Sequence, residues 1–463
     1  MKHLLTVLCL CAARICPGQD PVFSPAQIHE DARYLHRALK KHHPNLYLYS
    51  TKAETDAFFD ALSGRGDTLN RTEAYNAFTR VLDVIQDGHT LFFPGSADLD
   101  GYNDHSRFFP FKLYCHGAKL FIECNYSRTD NLEPGLEILD INGVSTDSIL
   151  KHCLSRLMRD GNNPAYPEWI LSNYFYEYYS YFFGHPDTFM IRVRSGNGSL
   201  QTLEIAALPK PEIRANRQKR YGNRAKARGL NQTEKDGIVL RFDSLTRAAI
   251  LTIRDFDSDV LRDVYKQEFT PVLENAFSQI NRSGAPILIV DLRGNQGGNL
   301  ENGIQLLSYL MSGEFRVVEK YYVVSHSESG NEQDRNREKR AAGTGSFQPR
   351  PDAFKGPVCL LVDGGSFSNS AIVSSAFRHY RRGLIVGTET GGNKNVICGD
   401  ENVITLPHTK IQVHIPTRQF VLRDKEKNDG HGVLPDHVVR PAITGMIEGK
   451  DEALDFCLKL FRK

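Results

Sequence analysis

The sequence predicts an α/β multidomain protein, and three successive textures along the chain carry that expectation. Residues 20 to 105 show helical spacing, residues 110 to 193 short alternating strands, and residues from 238 onward buried-type strands separated by helical patterns. With 463 residues, 40% of them hydrophobic and 24% charged, the chain is long enough for two or three domains with their own cores. A net charge of +2 gives composition no reason to propose a nucleic-acid partner.

The first residues read as an export signal. Lys2 and His3 precede an apolar core over residues 4 to 13, and Cys16-Pro17-Gly18-Gln19 offers small residues spaced for cleavage after Gly18, with Ala13 as the alternative. The apolar run is too short to span a bilayer, and no later stretch approaches about 20 apolar residues. The mature protein is therefore expected to be soluble and exported, either periplasmic or extracellular. Ile15 and Leu10 stand before Cys16 and Cys11 where a lipid anchor needs a small residue, which argues against a lipoprotein. Three of the nine cysteines, Cys9, Cys11 and Cys16, fall in this leader. Of the rest, Cys115 and Cys124 flank a short turn and suit a bridge across a hairpin, with free buried thiols as the alternative.

Residues 19–108 form the first expected domain. Ser24-Pro25 is a helix cap followed by proline at the first helical position, and Ile28, Ala32, Leu35 and Leu39 continue at helical spacing toward a stop at Pro44. A second helix over residues 72 to 85 leads into Asp87-Gly88-His89-Thr90. Residues 109–209 form the second domain, with strands over 111 to 114, 119 to 124, 137 to 141 and 188 to 193. Its phrase Glu133-Pro134-Gly135-Leu136-Glu137-Ile138-Leu139-Asp140-Ile141-Asn142-Gly143-Val144 resembles the strand-turn segment of PDZ domains, in which an Asn-Gly turn reverses the chain. Residues 169 to 183, dense in Tyr and Phe, read either as a packed helix face or as a pocket for peptide side chains. Residues 210–235 hold nine Lys or Arg against two Glu and read as a solvated basic linker. The third domain, 236–463, has strands over 249 to 253, 286 to 290, 358 to 362 and 384 to 386, hence a largely parallel sheet; residues 326 to 352 read as a surface loop.

Chemistry concentrates in this last domain. Gly364-Gly365-Ser366-Phe367-Ser368-Asn369-Ser370 follows an apolar strand and opens a helix. A serine there sits at the positive end of a helix dipole beside free backbone N–H groups, which is where a nucleophile with an oxyanion hole is built. Asp291-Leu292-Arg293-Gly294-Asn295-Gln296-Gly297-Gly298-Asn299 also follows a strand, and its glycines let backbone N–H groups turn inward. It lacks the lysine-hydroxyl ending of a phosphate loop, and His and Cys show no ligand spacing, so no metal or organic cofactor is implied. His89 can serve as a general base, and Asp429-Gly430-His431-Gly432 offers an acid at a tight turn.

Together, DGHT at 87–90, the PDZ-like phrase, DLRGNQGGN at 291–299, GGSFSNS at 364–370, IVGTETGG at 385–392 and GVLPD at 432–436 resemble the tail-specific, C-terminal processing serine peptidases across nearly the whole mature chain. The resemblance implies a ClpP/crotonase-like core, a protein or peptide substrate and cleavage often near C-termini. One branch of that family pairs its serine with a lysine; at that place this chain has Asn393, with Lys394 one residue later as the alternative base. The tricorn-like branch takes a histidine from the N-terminal part, and His89 stands at that motif, preceded by Gly88 where a serine can occur. The resemblance thus implies Ser368 as nucleophile, His89 as base, Asp429 as its carboxylate, and the N–H groups of Asn369 and of Gly297 or Gly298 as oxyanion donors. Relatives of these peptidases include a retinoid-binding protein, so a non-catalytic binding role is the competing expectation, and hydrolysis of a non-peptide acyl substrate a third.

Overall fold

The computed structural model describes residues 21–95, 106–130, 132–227, 236–324, 343–423 and 427–460. The leader, the latter part of the basic segment and most of the loop expected over 326 to 352 lie outside these residues.

The N-terminal helix Pro25–His42 is fixed at its start by a capping box, in which Ser24 Oγ accepts from Gln27 N–H and Gln27 Oε1 accepts from Ser24 N–H. It buries Ile28, Ala32, Leu35 and Leu39, the residues whose spacing predicts it. Lys52–Ser63, not anticipated from the sequence, begins with the same device at Thr51 and Glu54. The helix expected over 72 to 85 divides at Arg80 into Arg71–Thr79 and Val81–Ile85. Gln86 then turns left-handed, at φ 51°, and releases the chain into Asp87-Gly88-His89.

The second region is an antiparallel sheet in the order Leu200–Ala206, Thr188–Arg194, Glu137–Ile141, Lys119–Asn125, Phe111–His116, with Val144–Ser145 also paired to Glu137–Ile141. Asn142 and Gly143 make the expected reversal with φ of 53° and 77°. Helix Ala165–Phe183 lays Phe175, Tyr179 and Phe182 into the core, where Phe109, Phe175, Tyr179 and Phe189 form one aromatic cluster; the tyrosine-rich run is a packed face. Two expectations are corrected. Cys115 stands opposite Leu120 and Cys124 opposite Lys112, so the strand register keeps those thiols apart and both are free. Residues Lys210–Ala227 are helical rather than a solvated linker. Arg, Lys, Gln and Ala are good helix formers, and this helix is held by buried Ile213, by Asn125 N–H donating to Tyr221 Oη at 2.9 Å and by an Arg128–Glu212 ion pair.

The third region is a six-stranded sheet ordered Ile238–Phe242, Ala249–Ile253, Leu288–Asp291, Val358–Val362, Leu384–Gly387, His437–Val438. The first pair is antiparallel and the rest parallel. Phe269–Ser283, Leu300–Leu310 and Asn369–His379 share one apolar cluster with one face; Glu452–Leu460 packs on the other through Ala453 and Cys457. A second sheet joins Val318–Val323, Gln412–Leu422 and Val396–Thr405. Strand Leu91–Phe93, immediately after the Gly-His turn, adds to Gln412–Leu422 with His414 opposite Leu91. That pairing carries His89 into the third region.

Candidate active site

Strand Val358–Val362 ends at Asp363, whose Oδ1 accepts the N–H groups of Gly365 and Gly294 at 2.9 and 2.8 Å and so builds the turn. Gly364 and Gly365 are needed there because a Cβ would lie 2.2 Å from Ala165 O and 2.4 Å from Trp169 Cε2. The turn is locked to the 291–299 loop by Ser366 Oγ donating to Leu292 O and Phe367 N–H to Asn295 O. Ser368 is the residue before helix Asn369–His379 and is held at φ 49°, ψ −119°. A non-glycine residue at positive φ costs about 1–3 kcal/mol and persists only where its surroundings impose it. Here the locked turn does so, and it points Oγ out of the backbone.

His89 Nε2 lies 3.0 Å from Ser368 Oγ, across 279 residues of sequence. Three contacts set the ring. Asp87 Oδ1 accepts both His89 N–H at 2.9 Å and Thr90 Oγ1–H at 3.1 Å, which closes the turn. Gly88 N–H donates to Asp160 Oδ1 at 2.8 Å, while Asn393 N–H donates to Asp160 Oδ2 at 3.1 Å. One carboxylate thereby ties the histidine turn to the loop after Leu384–Gly387. Third, the imidazole stacks on Phe367 at 4.6 Å, and Phe367 on Tyr166 at 4.0 Å. Burial pushes the His89 pKa below its ordinary 6.5 against the raising pull of Asp87, Glu401 and Asp400. A neutral ring is the form that accepts a hydroxyl proton. His89 Nδ1 is buried and has no hydrogen-bond partner among the described residues.

The oxyanion donors expected from sequence are only partly available. Gly297 N–H is taken by Asn295 Oδ1 at 2.9 Å, which removes it as a donor. The N–H groups of Gly298 and Asn369 make no hydrogen bond among the described residues and stand beside Ser368. Asp429 is not brought to His89. Its half-exposed carboxylate lies 3.2 Å from Lys394 Nζ and accepts His431 N–H at 3.1 Å. The same ion pair holds Lys394, which is absent from the residues lining the cleft around Ser368. That cleft has a volume of about 560 Å³, with Leu91, Ile372, Ile397 and Phe420 among its apolar lining and Asp257 and Glu301 among its acidic lining.

One buried group has the donor types of a metal site: His43, Asp87 and Cys398 place their ligand atoms within 4.8 Å of one another. Asn45 N–H donates to His43 Nδ1 at 3.2 Å, which puts the neutral ring's proton on Nε2, 3.6 Å from Asp87 Oδ2. In that tautomer His43 faces the carboxylate as a donor and offers no lone pair to a metal. Burial opposes ionisation of Asp87, yet His43, His89 and Cys398 together hold its carboxyl below the usual range.

Asp87 and Asp160 are the site residues that sequence reasoning missed. Asp87 stood inside a quoted motif without a role; Asp160 has no local signal, since its partners are 72 and 233 residues away. Burial, followed by the nearby Asp87 charge, raises Asp160 to about 7. Asp160→Asn offers one acceptor where two N–H groups need one each, and we expect a loss of roughly 1–3 kcal/mol. A lower urea midpoint with unchanged m-value measures it; an unchanged midpoint shows the latch to be dispensable.

Residues 247–439 match the family model described as Peptidase family S41. This stretch is an S41 peptidase domain. The S41 domain contains Ser368, the 291–299 loop and Asp429; His89 and Asp160 lie outside it. A carboxy-terminal-processing protease of Bartonella bacilliformis (strain ATCC 35685 / KC583 / Herrer 020/F12,63) is 30% identical over 98 residues. The match covers 21% of this chain and 21% of that protein, so the chain aligns with about a fifth of this curated relative. Among solved structures, mature CPAF superposes with a TM-score of 0.66 at 14% identity, over 94% of this chain and 97% of that one. Mature CPAF complexed with lactacystin gives 0.67 at 14% identity, over 94% and 98%. At such identity the likeness is one of fold, and it extends beyond the S41 domain to nearly the whole described chain.

Proposed function

We propose that this protein is an exported serine endopeptidase that hydrolyses peptide bonds of proteins or peptides through an acyl-enzyme on Ser368, with His89 as general base. The single observation that carries the reading is the 3.0 Å approach of His89 Nε2 to Ser368 Oγ in a cleft lined both by the S41 domain and by residues before it, among them Gly88, Leu91 and Tyr166. Ser368 Oγ attacks the scissile carbonyl while Nε2 takes its proton. The oxyanion that forms is held by the N–H groups of Gly298 and Asn369, each worth about 3 kcal/mol of barrier. The imidazolium then gives its proton to the leaving amine, and water activated by the same nitrogen releases the acid.

The family match supports the reaction class, and the name of the Bartonella relative supports cleavage near C-termini. We read the antiparallel sheet of the second region, with its Asn142-Gly143 turn, as a PDZ-like module that presents substrate, and the parallel sheet with its helices as a ClpP/crotonase-like core. The residue boundaries given from sequence, 19–108, 109–209 and 236–463, serve as the working division, with Lys210–Ala227 as a helical connector. Export to the periplasm or beyond rests on the N-terminal leader.

A fluorophosphonate probe tests the proposal directly. Wild-type protein is expected to be labelled on one serine, with all labelling lost in Ser368→Ala. Labelling that persists in Ser368→Ala places the nucleophile elsewhere, and an unlabelled, folded wild type returns the weight to a ligand-binding role.

A further inference from the structure

Cys359 lies in strand Val358–Val362, which leads into the Ser368 turn, and Cys457 lies in the last described helix, Glu452–Leu460. Both side chains are fully buried where that helix crosses the sheet, among Ile250, Ile289, Leu361 and Val386. Their sulfur atoms face each other at 2.7 Å, and among the described residues each thiol's hydrogen-bond partner is the other. Among the described residues no hydrogen bond joins Cys115, Cys124, Cys153 or Cys398 to a second sulfur.

We infer that Cys359 and Cys457 are joined by a disulfide in the mature protein, a covalent staple that fastens the C-terminal helix to the strand carrying the nucleophile turn. Two buried thiols on separate elements, 98 residues apart and in mutual contact, are the arrangement that an oxidising compartment converts to a bridge. The inference rests on the export proposed above, which brings the chain to such a compartment. Two S–H bonds break and one S–S bond forms. The carrier's own S–S bond breaks in exchange: an oxidised thiol-disulfide carrier takes up the two electrons together with the two protons and leaves as its dithiol. One cysteine first attacks the carrier's disulfide as a thiolate, and the second displaces it from the mixed disulfide. Contact with Cys457 and burial both raise the Cys359 thiol in the docked helix, so exchange belongs to folding, before the helix seats.

The staple would act beside a second tie at the same place. Asp451, directly before the helix, forms a two-pronged ion pair with Arg293, which also pairs with Asp291 at the end of the neighbouring strand. The C-terminal helix is thereby fastened to both strands whose loops converge on Ser368, Leu288–Asp291 and Val358–Val362. A loop of this length loses much chain entropy when closed, so the bridge constrains the unfolded chain strongly.

The test uses the full chain in the cells that export it. Cells are lysed directly into denaturant containing N-ethylmaleimide, and the protein is digested without reduction and mapped by mass spectrometry. Six cysteines follow the leader; six minus the bridged two leaves four, so adducts are expected on Cys115, Cys124, Cys153 and Cys398, with one cross-linked peptide pair joining Cys359 to Cys457. Adducts on Cys359 and Cys457 in most molecules, or either one bridged to another cysteine, overturn the inference. Neither outcome depends on catalysis by Ser368.

Discussion

Ser368→Ala, His89→Ala and the double variant are expected to lose the same activity, roughly 10⁵–10⁶ in kcat toward a peptide substrate. In the proposed mechanism nucleophile and base act on one proton, so with either removed the other has nothing to do. What remains is the binding cleft and the amides of Gly298 and Asn369, which continue to stabilise an oxyanion formed by water. Measured kcat values for the three variants decide the matter. A double variant as inactive as each single one confirms a unit, whereas a double loss equal to the product of the single losses shows that His89 acts on something other than the Ser368 proton. The pH profile of wild type supplies the sign. The base works neutral, and burial lowers the His89 pKa below 6.5. Activity is therefore retained as pH falls through 6.5 and declines only as it nears the lower folded value. For the same reason the unfolded chain takes up a proton there before the folded one does, so His89 costs stability as pH drops below 6.5. A half-maximal kcat/KM at or above pH 7 would falsify His89 as the titrating base.

The legible parts of this chain were those in which cause and effect are close in sequence. Ser24-Pro25 capped a helix, Asn142-Gly143 turned a hairpin, and the apolar run ending at Val362 made a buried strand that delivers Ser368. What escaped depends on partners far away. Asp160 has meaning only once Gly88 and Asn393 have been brought to its two oxygens. Asp429 could be placed near a tight turn but not aimed; the structure aims it at Lys394, and that pair withdraws the expected carboxylate and the alternative base together. Gly297 and Gly298 looked equivalent as donors, and the Asn295 side chain separates them. The helix Lys210–Ala227 was hidden by its charge. Composition suggested solvent, while buried Ile213 and the Tyr221 hydroxyl on Asn125, eight residues apart on one face, hold it to the sheet. Strand Leu91–Phe93 explains why His89 reaches a serine in another region, and its pairing with Gln412–Leu422 is likewise a long-range choice.

Gly297→Ala is expected to lower kcat by about 10²–10³ while leaving the fold in place. A Cβ there would lie 2.6 Å from Ser368 Cβ, 2.9 Å from Asn369 N and 3.1 Å from Phe367 O, and the residue sits at φ 110°, where a side chain is strained. The neighbours cannot yield by rotating a flexible chain end, because two of the three atoms are backbone in a turn pinned by Asn295 and Leu292. Either Ser368 shifts by a sizeable fraction of an ångström, costing up to about 10² through misplacement, or the new methyl covers Asn369 N–H and removes an oxyanion donor, costing about 10²–10³. Overpacking adds roughly 1–3 kcal/mol of destabilisation, which leaves a protein of this size folded. Gly313→Ala is the control, since a Cβ there meets nothing within 4 Å. Far-ultraviolet dichroism and a thermal melt report the fold, and kcat reports the site. If Gly297→Ala kept wild-type kcat, the 291–299 loop could not be the wall against which Ser368 is positioned, and the oxyanion assignment to Gly298 would fall with it.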